Sequence, residues 1–337
     1  GDGTTEPQGA IPRTLDTSKD LAGLVISHPH QDHWGLLRSL PASWSVWSGA
    51  ASETLIRMTA SLSGGGVAQR FQTYRPHEPF SVGPFTITPF LTDHSAFDAH
   101  MLLVDVGGKR VLYSGDFRRV GRKAALVDGL MKNPPPGVDV LLLEGTTLGR
   151  AEAFPTEAAL EDAFVSLLQR TPGRVFITWS AQNIDRTVTI YRACKKAGRT
   201  LVLDLYTIDV MERLSALRDT LPRLGWPQVR AVITSSMKWM YESPDRMNAP
   251  AFVERVATSG HAMGAAKLAE MRDAVVMLRS SLLRDFVKKG VEPTADDAWV
   301  FSMWSGYLKT PEYQQVRAAF EAAGATFAQI HTSGHAS

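Results

Sequence analysis

The segment Ser27-His28-Pro29-His30-Gln31-Asp32-His33-Trp34-Gly35 constrains this chain more than any other, because four potential metal ligands fall within six residues. It follows the apolar run Ala22 to Ile26, which reads as a β-strand, and leads into a short helix. Residues two apart in extended backbone point the same way, so His28 and His30 converge on one ion, while Asp32 and His33, at the turn into the helix, face a second position. The chain must therefore place a strand end beside a site for two neighbouring cations.

The single cysteine, Cys194, excludes a disulfide framework and a thiolate cluster and points to a reducing compartment, so any metal is held by histidine and carboxylate. That donor set suits zinc first and manganese second. Two later segments end predicted strands with further ligands. Thr92-Asp93-His94-Ser95 follows Phe85 to Leu91, and Ser114-Gly115-Asp116-Phe117 follows Val111 to Tyr113. Each alone reads as a cap or turn. Their order and spacing behind the first run make His94 and Asp116 ligand candidates, whereas His77, His100 and His261 are isolated and read as ordinary surface or core residues.

With 337 residues, 44% of them hydrophobic, the chain is long for one core, and two domains or one domain with a large insertion are expected. Lys plus Arg number 36 against 34 Asp plus Glu, which excludes a polyionic or disordered protein and neither advertises nor excludes a nucleic-acid partner. No run approaches the roughly 20 apolar residues of a membrane span, and Gly1-Asp2-Gly3-Thr4-Thr5 lacks the features of a signal peptide. No membrane partner and a cytoplasmic location are the expectation.

Along the chain, Ala22 to Ile26, Phe85 to Leu91, Met101 to Val106, Val111 to Ser114 and Val138 to Glu144 read as strands, with helices after His33 and over Ala51 to Thr59. From Thr156 strands and helices alternate. Helical periodicity over Leu160 to Leu168 is followed by strand Arg174 to Trp179, helix Ile184 to Lys196, strand Thr200 to Asp204, helix Asp209 to Leu217 and strand Val229 to Ile233. A long helical stretch from Gly264 to Lys289 precedes strand Trp299 to Met303, helix Glu312 to Ala323 and strand Thr326 to Ile330. Such alternation predicts a mostly parallel, doubly wound sheet.

The run His28-x-His30-x-Asp32-His33, then His94, then Asp116 resembles the motifs of the metallo-β-lactamase superfamily, in that family's order. Glu144 at the end of the Val138 strand, and His335 in Ser333-Gly334-His335-Ala336, are similar to the acidic and histidine motifs of its β-CASP branch, which includes ribonuclease J and the cleavage-and-polyadenylation endonuclease. Trp179-Ser180-Ala181-Gln182-Asn183-Ile184-Asp185-Arg186 resembles the loop that opens that branch's cap. The resemblance implies an α/β fold, an αβ/βα sandwich with an inserted doubly wound cap forming a cleft over the metals. The expected domains are 1–152, the cap 153–325, and a return segment 326–337.

The resemblance also implies roles. His28, His30 and His94 would hold the first of two zinc ions, Asp32 and His33 the second, and Asp116 would bridge. Asp32, Glu144 and His335 would be catalytic, with His335, oriented by Glu144, as general acid. Resemblance and local chemistry assign Arg186 and the amides around Ser333 and Gly334 to phosphate oxygens. The function implied is a nuclease, exonuclease or endonuclease, hydrolysing phosphodiesters of RNA before DNA with a dinuclear zinc-bound hydroxide. Two alternatives remain, a small-molecule hydrolase of lactams, lactones or thioesters, and a non-catalytic nucleic-acid-binding homologue. Only 27 residues precede His28, Asp2 is a poor match to the family's early acidic motif, and two residues follow His335, so a fragment of a longer protein is expected.

Overall fold

The computed structural model describes residues 11–12, 14–149 and 153–335. Asp2 lies outside them. The chain divides into two compact units, residues 1–153 with 334–337, and residues 154–333.

The first unit is a four-layer sandwich. Three parallel strands, β1 (Leu24–Val25), β2 (Val46–Gly49) and β3 (Phe71–Tyr74), form one sheet. The other runs in chain order through β4 (Phe80–Val82), β5 (Phe85–Leu91), β6 (His100–Val106), β7 (Lys109–Tyr113) and β8 (Val140–Leu142). It is antiparallel until β8, which runs parallel to β7. Val25, Trp47 and Tyr74 from the small sheet pack with Val82, Ile87, Leu102 and Val104 from the large one. The outer face of the small sheet buries Ile26, Val46 and Phe71 against Trp34, Leu37, Ile56 and Ala60 from the helices Gln31–Trp34, Gly35–Ser39 and Ala50–Leu62. Across the molecule Met101, Leu103 and Leu112 are covered by Leu130 of the helix Ala124–Lys132. Helix, sheet, sheet and helix thus stack as hydrophobic alternation along each strand requires. The large sheet ends at β8, whose Val140, Leu141 and Leu142 are 46%, 55% and 52% exposed.

In the second unit, β9 (Val175–Thr178), β10 (Thr200–Asp204), β11 (Val229–Ile233), β12 (Ala262–Gly264), β13 (Ala274–Met277), β14 (Ala298–Phe301) and β15 (Thr326–Gln329) make one parallel sheet, in the order β12-β11-β10-β13-β9-β14-β15. Its strands β13, β9 and β14 are buried along their whole length, as in a sheet covered on both faces. Helices begin where side chains cap them: Thr156 Oγ1 accepts from the Ala159 amide, Asn183 Oδ1 from Arg186, and Asp204 Oδ1 from Thr207. The Asp204 cap starts the following helix at Leu205, four residues before the expected start.

Two expectations are corrected. The stretch Gly264 to Lys289 is not one long helix: it holds the short helix Ala265–Leu268, strand β13 in the middle of the sheet, and the helix Ser280–Val287. Ala274-Val275-Val276-Met277 is buried on both sides, so it lacks the period-two alternation that marks a half-buried strand. The return segment is also shorter than expected. β15 pairs with β14, and the chain rejoins the first unit at Gly334 rather than at 326. No helix among the described residues is long and apolar enough to cross a membrane.

Candidate metal centre

His28, His30, His94, Asp116 and Glu144 follow strands of the first unit, and Asp32 and His33 sit in the helix Gln31–Trp34 just after β1. The Ile26 amide donates to Trp47 O, and the His100 amide on β6 donates to Ser27 O, so the chain leaving β1 is tied to both sheets as it enters the histidine run. His28 is fully buried. Its Nδ1 lies 3.1 Å from Ser27 Oγ, and the tautomer that donates to this hydroxyl keeps the lone pair on Nε2. That buried Nε2 has no hydrogen-bond partner.

His30 and His94 face each other, with His30 Nδ1 3.0 Å from His94 Nε2. His94 Nδ1 donates to Gly334 O at 2.6 Å, which fixes its tautomer and turns Nε2 towards His30. Burial holds all three imidazoles in the neutral, ligating form. His28 and His94 are pushed well below the ordinary 6.5, and His30 is pushed down to about 4.

Asp116 joins this cluster to a second. Its Oδ2 lies 3.7 Å from His28 Nε2, 3.3 Å from His33 Nε2 and 3.7 Å from His335 Nδ1. Asp32 Oδ2 stands 3.4 Å from the same His33 nitrogen. Burial pulls His33 down, but hydrogen bonding to Asp116 and Asp32 outweighs it and holds the ring at about 9. Hydrogen bonding to His33 in turn lowers Asp32 to about 2. Three sets of ligand atoms, each within 4.8 Å, result: His28, His30 and His94; His28, His33 and Asp116; and Asp116, Glu144 and His335.

These residues fit a pair of divalent ions. Four donors around a zinc at ~2.0–2.1 Å stand about 3.3 Å apart, and the closest donor separations here run from 3.0 to 3.7 Å. An unpartnered buried imidazole nitrogen and two facing ring nitrogens are arrangements that a cation satisfies.

Glu144 completes the centre. Its amide donates to Ser114 Oγ at 3.0 Å, its Oε1 accepts from the Phe117 amide at 2.8 Å, and its Oε2 accepts from His335 Nδ1 at 2.8 Å. Held on both sides, the carboxylate fixes the orientation of the imidazole. Burial lowers His335, but hydrogen bonding to Glu144 raises it further, so its net displacement is upward.

Asp93, quoted in the sequence only as the neighbour of His94, is a fully buried hub. Its carboxylate accepts from the Gly121 and Lys123 amides and pairs with Arg118 at 3.8 Å, while its carbonyl accepts from the Arg118 amide. Gly121 is required there, since a Cβ would lie 2.2 Å from Asp93 Oδ1. Ser27, Ser114 and the Gly334 carbonyl are likewise orienting groups that sequence reasoning missed, because a serine beside a ligand and a backbone oxygen carry no sequence signal.

The substrate-binding assignments fare differently. Arg186 is fully buried in the second unit, where Nη2 and Nε bond Glu157 at 3.0 and 3.3 Å and Nη1 bonds Ser302 O and Oγ. It ties helix Ile184–Ala197 to helix Glu157–Arg170 and to the end of β14, and has no face for a phosphate. At Gly334 it is the carbonyl that is engaged, by His94. Ser333 is partly buried, at the end of the second unit.

Strand-end ligands of this kind on an αβ/βα sandwich define a metallo-β-lactamase-type metal centre. The family profile described as "Beta-lactamase superfamily domain" matches residues 4–199, more than half the chain, and the chain belongs to that superfamily. Among curated proteins it is similar to ribonuclease J of Mycobacterium tuberculosis (strain CDC 1551 / Oshkosh), 28% identical over 193 residues covering 55% of this chain and 34% of the relative. Ribonuclease J of Thermus thermophilus is 25% identical over 213 residues, covering 58% of this chain and 37% of the relative. The chain thus spans about a third of the length of these curated relatives. A crystal structure described as a protein of unknown function from Enterococcus faecalis V583 superposes with a TM-score of 0.71 at 17% identity, over 93% of this chain and 70% of that one, and so shares the fold. The resemblance to the ribonuclease J-like, β-CASP branch read in the motifs is in keeping with these matches.

Proposed function

We propose that this chain carries the catalytic core of a two-zinc nuclease that hydrolyses phosphodiester bonds of RNA. The observation that carries the reading is the Glu144–His335 pair, 2.8 Å apart and beside Asp116, at the margin of the two ligand clusters. His28, His30 and His94 would hold one ion and Asp32 and His33 the other, with Asp116 between them. Bound there, the ions supply Lewis acidity towards a phosphate and an activated water.

The chain's own residues supply the rest. Glu144 holds His335 Nδ1–H, so the protonated ring can give up the proton on Nε2 to the departing sugar oxygen. The upward displacement of His335 keeps that proton available near neutral pH. The hydrogen bond to Glu144 also fixes the ring's angle, the role of the third member in catalytic acid–base pairs. A thioester, whose thiolate leaves without a proton, makes a weaker demand for such a paired acid than an alkoxide does. The similarity to ribonuclease J favours RNA over DNA as substrate.

Product analysis on 5′-labelled single-stranded RNA and DNA, with zinc or manganese added, tests the reading. Metal-dependent cleavage of RNA, abolished by chelation, is expected. Turnover of a chromogenic lactam or lactone without any diester cleavage would replace it with the small-molecule hydrolase.

A further inference from the structure

In open parallel α/β sheets, ligands bind in the crevice outside the carboxyl ends of the strands, where neighbouring connections diverge. In the second unit β10 and β13 are such neighbours: the chain leaves β10 for β11 on one side and β13 for β14 on the other. The residues that follow these strands, and those that follow β14, form a row. Tyr206 accepts from Gln182 Nε2 at 2.9 Å and lies under the guanidinium of Arg279, 5.3 Å from the ring centroid. Tyr313 packs on Phe301 at 5.2 Å and is within electrostatic reach of both Arg279 and Tyr307. The row ends at Trp304, whose ring centroid is 5.6 Å from that of Tyr307 at an interplanar angle of 85°.

Trp304 is the unusual member. It is 57% exposed and Tyr307 46%; Trp179 and Trp299 of the same unit are buried, while Trp239, 60% exposed, lies on the helix Ser235–Glu242. Exposed indoles on a surface normally swing between rotamers. This one is held. The six-membered ring lies against Gly306, where a Cβ would meet it at 2.3 Å, and Tyr307 braces it edge-on. Its support is a short 3-10 turn, Ser305–Lys309, anchored by the Tyr307 amide donating to Trp304 O and the Thr310 amide donating to Tyr307 O. The turn itself carries an exposed Ser305, Gly306 and an exposed Lys309, so its surface residues are polar and cationic and not an apolar patch.

An exposed aromatic face on a turn that carries a cation is how proteins hold unpaired bases without reading their sequence, and polar surroundings disfavour an apolar protein surface as the occupant. We infer that Trp304, braced by Tyr307 and seated on Gly306, is a stacking platform for a base of a single-stranded nucleic acid. This rests on the nuclease reading for its biological purpose, but the binding it asserts can be measured without catalysis.

The test uses the metal-loaded protein and a fluorescein-labelled, phosphorothioate-protected single-stranded RNA of about fifteen nucleotides, the upper range of a single binding fold. Anisotropy should show Trp304→Ala weakening binding about 5- to 100-fold, the worth of one stacked base, with Trp304→Phe recovering most of it. Gly306→Ala, which keeps the indole but displaces it, should weaken binding as well. Hydrolysis of bis(p-nitrophenyl) phosphate, which has no base to stack, should be unchanged in all three. If Trp304→Ala binds the RNA as the wild type does, the platform is wrong. If the variant instead changes the oligomeric state on size exclusion and Phe does not rescue RNA binding, the surface is a protein interface and the inference is equally overturned. Failure of the wild type to cleave any diester, with RNA binding still dependent on Trp304, would remove the nuclease reading and leave the platform standing.

Discussion

His335 Nδ1 donates to Glu144 Oε2 at 2.8 Å across 191 residues of sequence. Glu144 is fixed at the end of β8 by Ser114 and the Phe117 amide, while His335 follows the whole second unit, so the insertion returns the chain to a preformed acceptor. If the two act as one device, their losses do not add. Glu144→Gln and His335→Ala should each lower turnover of RNA by about 10² to 10⁴, and the double variant should be little worse than either. Steady-state kinetics on the three variants decides; full additivity would give Glu144 a separate task.

The first ligand cluster should depend on His30 more than on any exposed residue. His30→Ala removes one of two facing ring nitrogens, and elemental analysis of the purified variant should show at least one ion fewer than the wild type. Unchanged metal content would remove His30 from the ligand set.

The two clusters should differ in their response to pH. Burial pushes His28, His30 and His94 below the ordinary 6.5, so all three are already neutral and filling their site near pH 7 releases almost no proton. His33, held at about 9, must lose its proton, so the second ion should release about one and bind about tenfold more tightly per pH unit up to about 9. In the metal-free protein the sign is opposite. The raised His33 stabilises the fold fully below 6.5, and that contribution fades as pH rises through about 9. Calorimetric titration in buffers of different ionisation enthalpy measures both proton counts, and equal release in the two steps would contradict the assignment.

Arg186 should behave as a structural residue. Removing one partner of a buried ion pair costs ~3–5 kcal/mol, so Arg186→Ala should lower the midpoint of denaturant unfolding of the protein. At temperatures where it stays folded, RNA affinity should fall no more than that of other destabilised variants. A selective loss of RNA affinity with unchanged stability would restore it to the binding surface.

Much of the candidate ligand cluster is legible because its first members are local: His28, His30, Asp32 and His33 lie in one strand-to-helix turn, and His94 and Asp116 follow two readable strands. The alternation of strands and helices after Thr156 likewise announced a parallel sheet. What remained hidden is tertiary. Arg186 follows a cap signal at Asn183, and nothing in the sequence shows that Glu157, 29 residues earlier, is waiting for it in the interior. Asp93 gives no hint that it gathers the amides of Gly121 and Lys123. β13 reads as helix in the sequence because a strand buried on both faces and a buried helix have the same composition. β15 gives no sign of the unit it belongs to because an edge strand carries no label of the sheet it joins.

The central claim is that a metal centre and a paired acid act together on a phosphodiester, and His335→Ala on two substrates tests it most directly. On ordinary RNA, whose leaving alkoxide needs a proton, turnover should fall by about 10² to 10⁴, while a diester with a p-nitrophenolate leaving group should be cleaved at nearly the wild-type rate and the metal content should not change. Equal losses on both substrates, accompanied by loss of one ion, would make His335 a metal ligand and contradict the account.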